Sequence, residues 1–193
     1  MSNTTLRPGK IVDAPLLAKL VNYAGEGLPL YLWEQMAGDG QTGWDVGQER
    51  ASRDSGSFSY QNTTMIEYDR QPAGCLIGYE IAKTAEPIAE DLPPMFVPLL
   101  ELENLALDTW YVNVLAVSPE FRNLGLGSVL LKKADEIGAS LGKAGMSVIV
   151  ADNNRGARKL YERFQFKERA QRPMVKEGWV SDNEYWVLLT KQF

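Results

Sequence analysis

The chain has 193 residues, a formal charge of −5, 45% hydrophobic and 23% charged residues, a single cysteine and no histidine. That is the make-up of one soluble globular domain with a sizeable core. It excludes an intrachain disulfide and histidine as general base or metal ligand, and the charge argues against general binding of polyanions, so neither a metal nor a nucleic-acid partner is expected.

The opening "MSNTTLRPGK" lacks the apolar core of a signal peptide, and no apolar run approaches a membrane span. A cytoplasmic protein without membrane contact is expected. "TTLRPGK" reads as a first strand. "IVDAPLLAKLVNYAG" carries Leu16, Leu17, Leu20 and Val21 at helical spacing and stops near Gly25. "LPLYLWEQMAG" predicts a second helix entered through Pro29, and "DVGQERASRD" a short third piece. The period then changes: "SFSYQNTTMIEYD" and "PAGCLIGYEIA" are β-branched and aromatic, with a turn-like "DRQP" between them, and predict an antiparallel hairpin. Cys75 lies in the second of these runs and reads as a packed thiol. The following "KTAEPIAEDLPPMFVPLLELENLA" is Pro- and acid-rich but too apolar for a disordered linker, and predicts a packed insertion with a short helix.

"DTWYVNVLAVS" is the clearest strand. After Pro119 come a glycine turn and the helix "GSVLLKKADEIGASLG", with Leu130, Ala134, Ile137 and Leu141 on one face. "MSVIVAD" reads as a buried strand, "NNRGARKLYERFQF" as a helix, and "FKERAQRPMV" and "EYWVLLTKQF" as the last strands. No internal repeat or domain boundary is visible. The order is mixed α/β, with a strand–helix–strand–helix unit in its second half.

The turn "RNLGLG" raises the question of function. A dinucleotide fingerprint needs a third glycine where Leu130 stands, and a phosphate loop needs Ser or Thr where Ala144 follows Gly142-Lys143. Both are rejected. A helix N-terminus still offers unpaired N–H groups and partial positive charge to an anion. Glycines at 125 and 127 keep side chains away, and Arg122 adds charge. The plain alternative is a strand–helix turn that uses glycine for its dihedral freedom.

"VLAVSPEFRNLGLGSVLL" resembles the acetyl-CoA motif of the GCN5-related N-acetyltransferase (GNAT) family, with Arg122, Gly125 and Gly127 at its defining positions. A second signature, Asn-x-x-Ala-x-x-Leu-Tyr closing in Gly-Phe, is matched by Asn154, Ala157, Leu160, Tyr161 and Phe166. The resemblance covers the element order from first strand to last. It implies a GNAT-like fold: a central mixed, mostly antiparallel sheet flanked by helices, in an α/β (α+β mixed-sheet) chain. Residues 1–193 then form one N-acetyltransferase domain, with an insertion at about 83–107 before the fourth strand that the minimal fold lacks.

The resemblance further implies an acetyl-CoA-dependent N-acyltransferase in which an acceptor amine attacks the thioester directly. Leu115, Ala116 and Val117 would run beside the pantetheine. The N–H groups of Asn123, Leu124, Gly125, Leu126, Gly127 and Ser128, with Arg122 beside them, would hold the pyrophosphate. Asn154 would bond the pantetheine or nearby backbone, and Tyr161 is the expected general acid. The partners expected are acetyl-CoA and an amine acceptor, first a small molecule and second a protein N-terminus or lysine. Homodimerisation is left open. A non-catalytic acyl-CoA-binding regulatory module is the alternative.

Two departures from the pattern stand out. Gln165 replaces the usual glycine, which is expected to alter the helix C-terminus. Asn113 and Val114 stand where many relatives carry Glu or Asp. Asn113 could position a water or the acceptor, but it is no base. Glu80, Glu67, a water chain or the carboxyl terminus at Phe193 could serve instead, and an amine arriving neutral would need little help. The acceptor is expected near Tyr31, Trp33, Glu34 and Trp44 and near Glu177, Trp179 and Asp182, although an ordinary core explains each aromatic alone.

Overall fold

A computed structural model describes residues 3–193. Its seven strands are β1 (Thr4–Pro8), β2 (Thr63–Tyr68), β3 (Gln71–Glu80), β4 (Thr109–Val117), β5 (Gly145–Ala151), β6 (Lys167–Pro173) and β7 (Tyr185–Gln192). The helices are α1 (Ala14–Ala24), α2 (Leu28–Met36), α3 (Gly43–Ala51), α4 (Val97–Glu103), α5 (Leu126–Ser140) and α6 (Arg155–Arg163). One sheet runs β1-β2-β3-β4-β5-β7-β6. It is mixed and mostly antiparallel, as expected. Its parallel pair, β4 with β5, needs a crossover, and α5 supplies it. That ladder pairs Thr109–Val112 with Gly145–Val148 and ends there, whereas β4 runs on to Val117. Among the described residues no helix is long and apolar enough to cross a membrane.

The chain divides into two compact units, with the divisions falling inside β3, β4 and α5. In the first, residues up to Gly78 with Val114–Lys133, the apolar stripe of α1 buries Leu17 and Leu20 against Met65, Cys75, Ile77, Val114 and Ala116. Cys75 is the packed thiol expected, and burial pushes its pKa up to about 12. Trp33 of α2 stacks on Phe58 at 5.8 Å and meets Trp44 edge-on at 6.4 Å. The β2–β3 hairpin turns through Asp69 and Arg70, both with positive φ (49° and 67°), as a two-residue turn matched to strand twist requires.

The strand expected from Ser57 begins only at Thr63. Residues ahead of it turn back on side-chain bonds: Ser59 Oγ donates to the Arg53 carbonyl, Asn62 Nδ2 to that of Gly56, and Thr63 Oγ1 to that of Ser59. Local Ser, Thr and Asn bonds of this kind compete with a β ladder, and here they prevail.

The second unit holds Tyr79–Asn113 and Ala134–Phe193. The buried Thr109 and Ser147 hydroxyls bond across β4 and β5 at 2.7 Å. α4 packs on β6 and β7, tied by Arg172 Nε donating to Glu101 Oε2 at 2.6 Å. The insertion is therefore a packed element, as its composition implied. Leu141, expected on the buried face of α5, lies beyond the end of that helix and is exposed, with the chain turning at Gly142 (φ 66°).

Candidate active site

In the first unit a single turn of 3-10 helix, Pro119–Phe121, follows β4 and is anchored by the Phe121 ring against Tyr68 at 6.1 Å. Arg122 is extended and exposed, with Nε 3.4 Å from the Val117 carbonyl. Asn123 (φ 63°) and Gly125 (φ 81°) then both adopt left-handed backbone. Left-handed residues alternating with ordinary ones turn successive N–H groups to one side and make an anion nest. Ser128 and Val129 donate to the Gly125 carbonyl at 3.0 and 3.3 Å, which closes the first turn of α5. The amides of Asn123, Leu124, Gly125, Leu126 and Gly127 donate to no acceptor among the described residues.

A Cβ built on Gly125 would meet nothing within 4 Å. Packing therefore does not require glycine there. Its dihedral does, and the room above it is open. Close packing does explain Gly74 on β3, whose Cβ would fall 2.4 Å from the Ala116 carbonyl oxygen. The missing side chain lets the backbone at Ala116 and Val117 of β4 come close to β3 there.

In the second unit Asn154 begins α6, and its Oδ1 accepts from the Ala157 amide at 3.1 Å. Such a cap stabilises a helix by about 1 kcal/mol, so this residue has a structural task whatever else it holds. Tyr161 is 4% exposed, with its ring edge-on to Phe166 at 5.3 Å, and burial drives the phenol pKa well above the ordinary tyrosine value. The end of α6 corrects the expectation for Gln165. The left-handed conformation is kept (φ 69°), now by a glutamine, with Phe166 N donating to the Tyr161 carbonyl at 3.1 Å and Gln165 N to that of Glu162 at 2.9 Å. These are the two bonds of a Schellman cap, and the Tyr161–Phe166 contact is its apolar clasp. Gln165 and Phe166 thus close the helix in a cap that packs Phe166 against Tyr161. A left-handed non-glycine residue costs about 1–2 kcal/mol, partly offset because glycine loses more entropy on folding. Gln165→Gly is accordingly expected to stabilise the protein by about 1 kcal/mol, read as a higher urea midpoint with an unchanged m value.

The base candidates fare differently. Asn113 is exposed on β4. Glu67 accepts from Arg7 Nε, and the guanidinium holds its carboxyl below the ordinary range. Arg7 also grips the buried Asp13 through both terminal nitrogens at 2.7 and 2.8 Å, so this trio is structural. Glu80 is paired with Lys143 Nζ at 2.8 Å. Phe193 is half exposed and its ring covers Gly138. Of the expected acceptor aromatics, Trp33 is core, and Trp179 is buried in a parallel stack on Trp186 at 6.0 Å. The plain reading holds for both.

Sequence reasoning missed another group. The Tyr79 hydroxyl donates to Glu103 Oε1 at 3.1 Å, and the Tyr79 ring tilts against buried Tyr111 of β4 at 5.1 Å. Burial raises the Glu103 carboxyl to about 6, with the Tyr79 bond opposing and nearby Glu86 adding to the rise. Tyr111 is also pushed up by burial, and the Glu103 charge adds to that rise. The only sign in the sequence is an acidic residue ending the helix of the insertion.

A sequence model described as the acetyltransferase (GNAT) family matches residues 29–166, more than half of the chain. No curated protein matches significantly. Among solved structures, a crystallised acetyltransferase is 22% identical with a TM-score of 0.65, covering 97% of this chain and 98% of its own. An N-acetyltransferase from Staphylococcus aureus is 19% identical with a TM-score of 0.67, covering 97% of this chain and 100% of its own. A GNAT acetyltransferase from Elizabethkingia anophelis with acetyl-CoA bound is 17% identical with a TM-score of 0.58, and 99% of each chain is covered. At those identities the structures speak for the fold, and the family match for descent. With its sheet order, its nested glycine turn and its Tyr161 clasp, the chain belongs to the GNAT family of N-acetyltransferases.

Proposed function

We propose that the chain transfers the acetyl group of acetyl-CoA to the amine of a small molecule, as one cytoplasmic acetyltransferase domain over residues 1–193. The observation that carries this is the row of unengaged amides from Asn123 to Gly127 at the start of a fifteen-residue helix, with open space over Gly125. Amides and helix dipole together favour a pyrophosphate there, and exposed Arg122 adds charge. The donor residues thus fit the group that the Elizabethkingia relative binds. When bound, acetyl-CoA supplies the activated acyl carbon. Leu115, Ala116 and Val117 would present their backbone to its pantetheine amides, and Asn154 would orient the arm where α6 begins. Tyr161 would hold a hydrogen bond to the departing sulfur and supply its proton. A protein N-terminus or lysine is the less favoured acceptor.

The test has two arms. Calorimetric titration with CoA is expected to show one site per chain. Thiol release from acetyl-CoA is expected only when a primary amine is added. CoA binding without release for any amine would favour the non-catalytic acyl-CoA-binding module, which Asn113 in place of an acid permits. No CoA binding at all would defeat both readings.

A further inference from the structure

We propose that Glu103, on the insertion helix α4, is the proton acceptor for the incoming amine, in a cavity bounded by Tyr79 of β3 and the loop that carries Glu86. This rests on the acetyltransferase reading above and names the base that the β4 motif lacks. The cavity has a volume of about 110 Å³, with Tyr79, Glu103 and Glu86 beside apolar Ile81 and Leu100. At about 30 Å³ per water, that is space for a few non-hydrogen atoms, the end of an alkylammonium and not a folded peptide. Glu103 has no cationic partner among the described residues, and its hydrogen bond is the one from Tyr79. Other acids nearby are engaged: Glu80 with Lys143 and Glu101 with Arg172. Tyr111, whose ring meets that of Tyr79, stands one residue before the end of the β4–β5 ladder, which places the Glu103 cavity beside that end of the pairing.

The groups facing Glu103 are the phenols of Tyr79 and Tyr111 and the carboxylate of Glu86. With the carboxyl pushed up to about 6 by burial, most of it is ionised at neutral pH yet basic enough to take a proton. Glu103 takes one proton from the bound ammonium, which frees the nitrogen lone pair to bond to the acetyl carbonyl carbon. The carbon–sulfur bond breaks, its electron pair stays on sulfur, and Tyr161, hydrogen-bonded to that sulfur, supplies its proton. Water takes the second nitrogen proton and the one held by Glu103 and returns one to Tyr161, so both side chains are restored.

The experiment is the pH profile of kcat/KM for thiol release, with ethylamine, benzylamine and glycinamide as amines of graded basicity. The wild type is expected to show an ascending limb near pH 6 at the same place for each amine. Glu103→Gln, which keeps an oxygen for Tyr79, is expected to lose about a hundredfold in kcat/KM and to lose that limb, with CoA affinity unchanged. Tyr79→Phe removes the one contact that lowers the Glu103 pKa, so its limb is expected to move to higher pH. That shift is readable even if Glu103→Gln fails to fold. A limb that follows each amine's own basicity, or one that stays put in both variants, would overturn the assignment of Glu103 and leave the acetyltransferase reading intact. Absence of thiol release by the wild type with every amine would overturn both.

Discussion

Gly127→Asp is expected to weaken CoA binding by on the order of a hundredfold or more while the protein stays folded. Gly127 sits in the first turn of α5, and its φ is not positive, so a side chain fits the backbone without strain. An aspartate in a first helical turn is moreover favourable toward the helix dipole, by about 0.3–1 kcal/mol. Misfolding is therefore not the expected cause of lost binding. A carboxylate about 4 Å from a phosphate charge costs on the order of 4 kcal/mol at an effective dielectric near 20, and halving that for solvent leaves more than a factor of ten per charge. Gly125→Asp is a poorer probe, because at φ 81° any side chain also strains the turn. Gly127→Ala separates bulk from charge and is expected to lose far less. Since amides rather than many cations would hold the anion, salt should weaken binding less steeply than it weakens nucleic-acid binding. A folded Gly127→Asp protein that binds CoA like the wild type, by calorimetry, would remove the pyrophosphate from this turn.

What the sequence makes legible here follows from the range of the interactions. The glycine turn and the α6 cap are local: Gly125 declares its dihedral, and Asn154 its cap, within a few residues of the groups they serve. The same locality misleads at Ser57–Asn62, where β-prone composition loses to side-chain bonds between neighbours. Gln165 shows a limit of motif reading, since the left-handed cap survives the loss of its glycine because the Phe166 clasp holds it. Trp33 and Trp179 have carboxylates nearby in sequence, but their rings are turned into aromatic stacks that no short-range pattern reveals. The Glu103 group is the least legible, because it depends on strand register. Ile81 donates to Thr109 at 2.8 Å, which sets Tyr79 opposite Tyr111, and only then does the packing of α4 bring a carboxylate to the phenol. An acid twenty-four residues from its partner leaves no mark of that meeting in the chain.

Tyr161→Phe is expected to lower turnover by about a hundredfold with little change in stability or CoA affinity. The substitution removes only the hydroxyl, and the ring keeps its edge-on contact with Phe166 and its place in the α6 cap. Burial has raised the phenol pKa well above the ordinary tyrosine value, so the group stays protonated throughout the working pH range. The sign has two consequences. No descending limb below about pH 10, the unperturbed tyrosine value, should arise from Tyr161. Complete proton transfer to a thiolate whose conjugate acid lies near 8.5 is uphill, so the first contribution is a hydrogen bond to developing negative charge. Bonds to charged groups contribute about 1.5–3 kcal/mol, which is ten- to more than a hundredfold in rate. A better leaving thiol should therefore narrow the gap between Tyr161→Phe and the wild type, and a poorer one should widen it. The measurement is single-turnover thiol release, which isolates chemistry from product departure. Equal single-turnover rates for the two proteins would make the Tyr161 hydroxyl a bystander and leave its ring as the anchor of the α6 cap.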